Sequence, residues 1–175
     1  MGMRKRMDRF IQDALRDFAD CYVNRSAWLG KERDCVNIFA LQYLTKGIDS
    51  TSAIKDVSQI RIECAVMQPS DPEKFIRPSA TKDLVIWSKP SDTTWNADWK
   101  PVNAPRAIME WKTSRSGQGS ADFDIHDVAW LTAFTAEYPK TIGFLVSTHA
   151  TKSVRRCAWA MVRCGIIGKR HTVTT

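Results

Sequence analysis

Two short apolar segments of the chain carry charged residues where a buried strand usually has none. The first is Asp83-Leu-Val-Ile-Trp87, and the second, after a long polar connection, is Ala107-Ile-Met-Glu-Trp-Lys112. Because side chains alternate between the two faces of a strand, Glu110 and Lys112 point to the same side. An acid on one strand and a Glu-x-Lys pair on its neighbour can converge on one point. Carboxylate oxygens bind hard cations such as Mg²⁺, and a nearby amine positions or deprotonates water, which is the chemistry of metal-assisted phosphodiester hydrolysis.

This arrangement resembles the PD-(D/E)XK nuclease superfamily, whose signature is an acidic residue on one strand and Glu-x-Lys on the next. The matching positions are Asp83 and Glu110-Trp111-Lys112, with Lys82 standing where the signature often has proline. The resemblance implies a restriction-endonuclease-like core of order α-β-β-β-α-β. It also implies a DNA-cleaving enzyme that uses Mg²⁺, for which Mn²⁺ substitutes, with the backbone carbonyl of Trp111 as a further metal ligand. A homodimer is implied as well, since most enzymes of this class act as dimers to cut both strands.

Hydrophobic periodicity predicts the elements that would build such a core. We expect helices over residues 4–22, 26–45, 122–138 and 152–164, strands over 58–68, 82–88, 106–113 and 141–147, and a short strand after Ile166. The fold class is therefore α/β, with a central mixed sheet of four or five strands flanked by helices. We expect one domain over 1–175, in which 1–22 is an extra N-terminal helix, 26–150 the core, and 151–175 a basic C-terminal helix and tail.

Two further acids are candidates for the same site. Glu32 is the one charged residue on an apolar stripe of the second predicted helix. A carboxylate there is costly to bury unless it is paired or binds a cation, although it also lies near the helix start, where backbone N–H groups favour an acid. The resemblance adds that many members place a glutamate on the helix before the sheet. Glu63, on the first predicted strand, is either another metal ligand or a residue of the solvated face.

The net charge of +7 lies entirely in the C-terminal segment. Of the 26 basic residues, seven follow Tyr138, where no acid occurs, and the other nineteen are matched by 19 acidic residues. A localised basic surface is typical of a protein with a polyanionic partner. On the predicted fourth helix the residues that share one sector, and that are either a nucleic-acid-binding face or a solvated one, are Lys152, Arg155, Arg156, Trp159 and Arg163. Arg115, in the flexible segment after the Glu-x-Lys strand, is a second candidate for a phosphate contact.

Aromatic residues raise two more alternatives. Trp95 and Trp99, in the long connection over 88–105, either stack on bases or cover the sheet edge. On the predicted helix over 122–138, Trp130 and Phe134 lie opposite a small-residue face suited to packing on a sheet. The C-terminal helix or a second subunit would then cover that aromatic side.

Composition narrows the class of protein. No apolar run approaches the roughly 20 residues needed to span a membrane, no secretory signal is evident, and the five cysteines show neither a disulfide framework nor zinc-ligand spacing. These features favour a cytoplasmic protein with no membrane partner. The expected function is a metal-dependent nuclease. The alternative is a non-catalytic nucleic-acid-binding or protein-interaction module on the same fold.

Overall fold

A six-stranded mixed sheet flanked by helices forms an α/β architecture. The computed structural model describes residues 6–24, 31–48, 52–70, 77–115 and 122–175. Its helices are α1 (Met7–Asn24), α2 (Glu32–Ile38) and α3 (Ile125–Glu137), with short π and 3₁₀ turns at Phe39–Leu44, Thr45–Gly47 and Val57–Gln59. Its strands are β1 (Ile60–Met67), β2 (Ser79–Ile86), β3 (Ala107–Arg115), β4 (Ile142–Ala150), β5 (Arg155–Arg163) and β6 (Ile166–Thr174).

The strands lie side by side in chain order, β1-β2-β3-β4-β5-β6. All neighbours are antiparallel except β3 and β4, which are parallel because α3 connects them across one face of the sheet. The prediction of a mixed sheet is confirmed. The short strand expected after Ile166 is present as β6, but the prediction of four or five strands is wrong, because β5 forms where a helix was expected.

Helix α1 packs on one face of the sheet, as its amphipathic pattern predicts. Ile11, Leu15 and Phe18 are fully buried, and the Phe18 ring meets the Trp111 indole edge-on with centroids 5.0 Å apart. Helix α2 lies in the same layer and begins at Glu32; the first part of that predicted helix, 26–30, lies outside the described residues. No helix within the described ranges is long and apolar enough to cross a membrane.

Helix α3 covers the opposite face of the sheet with its aromatic side. Trp130 and Phe134 are buried against a cluster that contains Val85 and Ile108. The predicted arrangement, with the small-residue side on the sheet, is therefore wrong. Neither a C-terminal helix nor a second subunit is needed to bury the aromatic rings, since the sheet itself does so.

The predicted fourth helix over 152–164 is wrong, because this segment forms strand β5. The strand is buried on both faces: Cys157 and Trp159 face α1, whereas Ala158 and Val162 face α3. A strand buried on both sides has no polar alternation, so its apolar residues also satisfy a helical pattern. Neighbouring strands β4 and β6 satisfy its backbone hydrogen-bonding groups.

A two-residue turn connects β5 to β6. Cys164 and Gly165 both have positive φ, 50° and 76°, which is the conformation that suits a tight hairpin to the twist of the strands. A side chain at Gly165 would also approach the Ala136 Cβ to 3.0 Å. Glycine therefore fits this position for both conformational and steric reasons.

Candidate active site

Strands β2 and β3 separate at Asp83. Their ladder consists of the three pairs Leu84↔Met109, Val85↔Ile108 and Ile86↔Ala107. Just beyond the Leu84↔Met109 pair, the Trp111 backbone N–H donates to the Asp83 carboxylate, with an N···Oδ2 distance of 2.6 Å. A side chain thus takes the place of a main-chain ladder bond and fixes where the two strands diverge.

Glu110 lies at this divergence in a buried ion pair with Lys82. Both side chains are 7% exposed, and the Lys82 ammonium also lies 3.6 Å from the centroid of the Trp130 ring. Burial raises the pKa of Glu110 to about 8, against the opposing effect of Lys82. Coulombic repulsion from Asp127 and Asp83 acts in the same direction as burial.

Lys112 extends from β3 towards the first turn of α3. Its Nζ is 3.4 Å from Asp127 Oδ2, and the two side chains are 42% and 18% exposed. That carboxylate oxygen is buried and makes no hydrogen bond. Partial burial opposes the charge on Lys112, but the carboxylates of Asp127, Glu32 and Asp83 outweigh it and raise the pKa of the amine.

Glu32 reaches the same region from α2. Its Oε2 accepts a hydrogen bond from the Thr113 N–H at 3.2 Å, so the carboxylate binds the Glu-x-Lys strand. Burial raises the pKa of Glu32, Lys112 opposes this shift, and Asp83 adds to it. Glu32 is the first residue of α2, and its carboxylate accepts from the Thr113 amide of β3.

Glu32 and Asp83 interact with Lys112, and Asp83 also interacts with Glu110; a shared metal-binding role for these residues stays a prediction. Glu63 is elsewhere: it lies on β1 with a positive φ of 50° and forms a surface ion pair with Arg33. The side chain of Trp111 points into the core, where its indole N–H donates to Thr148 Oγ1 at 3.2 Å. A metal-ligand role for the Trp111 carbonyl stays a prediction.

Two residues of this cluster were not predicted. Lys82 is noticeable in the sequence only as a departure from proline, because nothing in the sequence shows which buried partner it meets. Asp127 follows the helix cap Asp124, whose Oδ1 accepts from the His126 and Asp127 amides at 2.8 and 3.4 Å. An acid in the first helical turn after a Glu-x-Lys strand is a signal for it, since α3 begins near the end of β3.

The donor set fits a hard divalent cation in its chemistry, although the present side-chain arrangement does not complete a metal site. Burial is the main cause of the upward pKa shifts of Glu32 and Glu110, and repulsion from neighbouring carboxylates adds to it, so a cation bound among these acids would favour their charged forms. Yet among the described residues no group of three or more His, Cys, Asp or Glu side chains is placed to hold a metal ion. One carboxylate oxygen of Glu110 pairs with the Lys82 ammonium instead, and one of Asp83 accepts a hydrogen bond from the Trp111 amide.

The predicted basic helical face does not exist, because strand geometry divides its members between different surfaces. Arg155 is buried and its guanidinium contacts the Tyr22 carbonyl at 3.5 Å. Trp159 is also buried and stacks on His171 with centroids 5.2 Å apart. Arg163 lies 3.6 Å from Asp8 at the far end of β5.

The remaining members of that set lie apart from one another. Lys152 is exposed in the β4–β5 turn, and Arg156 is half-buried on the face that α3 covers. The side chain of Arg115 lies outside the described part of the structure. The predicted residues therefore do not form one continuous phosphate-binding surface, and each has to be considered separately.

The two tryptophans of the long connection differ in environment. Trp99 is 80% exposed and has a positive φ of 58°, whereas Trp95 is half-buried and its backbone pairs with Pro101. The connection lies against β1, because the buried Thr94 hydroxyl donates to the Ala65 carbonyl. Trp99 thus remains available for contact with another molecule, and Trp95 is partly covered by its own chain.

Comparison of the chain with protein-family models, with curated proteins and with solved structures gave no significant match.

Proposed function

We propose that the protein is a metal-dependent nuclease that hydrolyses phosphodiester bonds in DNA. The observation that carries this proposal is the gathering of Glu32, Asp83 and Asp127 around the amine of Lys112, with Glu110 interacting with Asp83 and Asp127 from the neighbouring side. Like charges gathered at one place in the fold destabilise it, so such a cluster is more readily explained by a bound cation than by stability.

The order of the elements supports the same function. Helix α2, strands β1 to β3, helix α3 and strand β4 follow the α-β-β-β-α-β order that the resemblance to PD-(D/E)XK nucleases implies. The acid lies on the second of these strands and Glu-x-Lys on the third, with β2 and β3 as direct neighbours. Helix α1 and the β5–β6 hairpin are additions outside that order.

Asp83, Glu110 and Glu32 would hold Mg²⁺ or Mn²⁺, and Asp127 offers a further buried carboxylate oxygen nearby. When bound, the ion supplies Lewis-acid activation of the phosphate and lowers the pKa of a water molecule. Glu110 contacts the Lys82 ammonium in the metal-free protein, so loading requires Glu110 to exchange that partner.

Lys112 acts as a cation. Because neighbouring carboxylates raise the pKa of its amine, it is protonated at neutral pH in the metal-free protein and does not serve there as a base. An ammonium group with 42% of its side chain exposed can donate to the attacking water or to a phosphate oxygen. It would thereby stabilise the negative charge that develops on the phosphate.

A second candidate function is a non-catalytic module that binds nucleic acid or protein. It is favoured by one observation: Asp83 and Glu110 already have structural partners, in the Trp111 amide and Lys82. In such a protein these acids would be polar structural groups. It predicts nucleic-acid or protein binding without metal-dependent cleavage.

The deciding experiment incubates plasmid and linear DNA with the protein in Mg²⁺, Mn²⁺ or EDTA. We expect cleavage only with a divalent ion, and a rate about 10²- to 10³-fold lower for Lys112→Ala, the range for loss of one charge-stabilising group. Lys55→Ala, at an exposed lysine far along the chain from the site, is the matched control and should cleave like wild type. All variants are purified identically, so a contaminating nuclease would act equally in each.

Two results would contradict the proposal. A Lys112→Ala variant that cleaves DNA at the wild-type rate would show that Lys112 takes no part in catalysis. Absence of cleavage by wild type with either ion, together with retained DNA binding, would favour the non-catalytic module.

A further inference from the structure

A polar row crosses four strands of the sheet on the α3 face and leads away from the candidate active site. Strand register places Ser114 opposite His149, His149 opposite Arg156, and Arg156 opposite Thr174. Directly opposed residues have Cβ atoms about 4.5–5.5 Å apart and share a face, so the four side chains form a continuous line. Lys112 precedes Ser114 by two residues and therefore lies on the same face.

An open depression of about 790 Å³ lies along the outer half of this row. Its lining combines one guanidinium and one imidazole with several hydroxyl groups, and no carboxylate is among the residues that line it: His149, Thr151, Ser153, Val154, Arg156, Thr172 and Thr174. The polar side chains of this concave surface include groups that donate hydrogen bonds to anions, and no acidic side chain is among the residues that line it. Such a lining is complementary to an oxyanion.

The polar groups differ in how far the fold already uses them. Ser114 Oγ and His149 Nδ1 are 2.9 Å apart, and this hydrogen bond restrains the imidazole ring at the inner end of the depression. No hydrogen bond or ion pair joins the half-buried Arg156 guanidinium to another described residue. A partly desolvated guanidinium with no partner is poised to bind an anion, because an anion would supply the hydrogen bonds it lacks.

The distance from the candidate active site fits a nucleic-acid backbone. Arg156 lies two strands away from Lys112 across the sheet and two residues further along the strand direction. With standard strand spacings, the two backbones are therefore about 12 Å apart. Each strand of a duplex advances about 3.4 Å per nucleotide, so this distance spans a few nucleotides. A DNA strand cleaved beside Lys112 would therefore pass over the depression.

We propose that the depression lined by Arg156, His149, Thr172 and Thr174 binds a backbone phosphate of DNA a few nucleotides from the cleaved bond. Arg156 supplies the charge and a planar pair of donors, and the exposed Thr172 hydroxyl supplies a further donor to the phosphate oxygens. The Thr174 hydroxyl lines the depression while donating to the Arg155 carbonyl at 3.2 Å. The inference rests on the proposed function for the identity of its ligand. This contact would fix the position of the DNA strand relative to the active site without recognising its base sequence.

The test measures binding of a fluorescently labelled DNA duplex in EDTA, by anisotropy over a range of salt concentrations. Arg156→Gln should weaken binding and make the dependence of log affinity on log salt shallower by about one, the expected loss of one phosphate contact. Arg9→Gln removes the same charge from an exposed position of α1, on the opposite face of the sheet, and should keep the wild-type slope. Arg156→Lys should keep the slope while losing part of the affinity, since lysine retains the charge but not the planar donors.

A second variant guards against misfolding of Arg156→Gln. Thr172 is exposed, so Thr172→Glu places a carboxylate in the depression without disturbing the core, and it should weaken binding similarly. A wild-type slope and affinity in both Arg156→Gln and Thr172→Glu would overturn the inference, as would absence of DNA binding by wild type.

Failure of the two proposals would be distinguishable. Binding that depends on Arg156 without any metal-dependent cleavage would contradict only the nuclease proposal. Cleavage by wild type together with an unchanged Arg156→Gln slope would contradict only the phosphate site.

Discussion

Replacement of Asp83 separates its structural role from a metal-binding role. The Asp83 carboxylate accepts the Trp111 N–H at 2.6 Å, at the point where the β2–β3 ladder ends. Asp83→Ala removes the acceptor and leaves that amide beside a fully buried tryptophan. Asp83→Asn keeps an acceptor oxygen of the same size but removes the charge.

The expected magnitudes follow from the contacts. A hydrogen bond to a charged group contributes about 1.5–3 kcal/mol, and a buried donor left without a partner costs a similar amount. Removing Asp83 also relieves its repulsion with Glu32 and Glu110, which offsets part of this loss. We therefore expect Asp83→Ala to lower the free energy of unfolding in EDTA by about 2 kcal/mol. Asp83→Asn should stay within about 1 kcal/mol of wild type.

Urea denaturation in EDTA and again in Mg²⁺ measures both roles. Wild type should gain stability from Mg²⁺, because an ion that binds only the folded state stabilises it, and neither variant should gain as much. Equal stability of Asp83→Ala and wild type in EDTA would refute the claim that this carboxylate replaces a ladder bond. Equal stabilisation of Asp83→Asn and wild type by Mg²⁺ would show that Asp83 is not a ligand.

Two further predictions concern a buried acid and a helix cap. Burial raises the pKa of Glu110 from 4.5 to about 8, so its contribution to stability is present below pH 4.5 and is lost as the pH rises through 8. In EDTA, the free energy of unfolding of Glu110→Gln should therefore rise relative to that of wild type as the pH increases from about 5 to about 8, and parallel pH dependences would contradict the assigned burial effect. Asp124 caps α3 through the His126 and Asp127 amides, so Asp124→Ala should lower the free energy of unfolding by about 1 kcal/mol and Asp124→Asn by less than half of that. Thermal melts that rank the asparagine variant no better than alanine would argue against the cap.

Asp83, Glu110, Lys112 and Glu32 could be selected from the sequence as candidate site residues, and their shared role stays a prediction. Charged residues interrupt apolar patterns rarely, and alternation within a strand places Glu110 and Lys112 on one side without any knowledge of the fold. The prediction of neighbouring β2 and β3 needed only that consecutive strands often pair. Amphipathic helix α1 and the uniformly apolar β4 were equally clear, because each has a single dominant pattern.

Residues 152–164 could not be assigned from pattern alone. The apolar side chains of β5 are buried on both faces, so they fit strand and helix equally, and the two-residue turn at Cys164-Gly165 lacks the usual Asn-Gly or Asp-Gly signal. The error also misplaced the basic residues. On a helix they share one sector, whereas on a strand Arg155 and Arg156 point to opposite faces.

The sequence by itself determined which groups are available for chemistry: three carboxylates, a lysine, and their order along the chain. Tertiary structure alone decided what those groups meet, since Lys82 pairs with Glu110 and Asp127 with Lys112 only after distant segments pack together. It also decided that Arg156 faces an open depression while Arg155, one residue earlier, is buried beneath α1. Local periodicity constrains which face a residue occupies, but burial and the charges of neighbouring elements depend on contacts between segments that lie far apart in the chain.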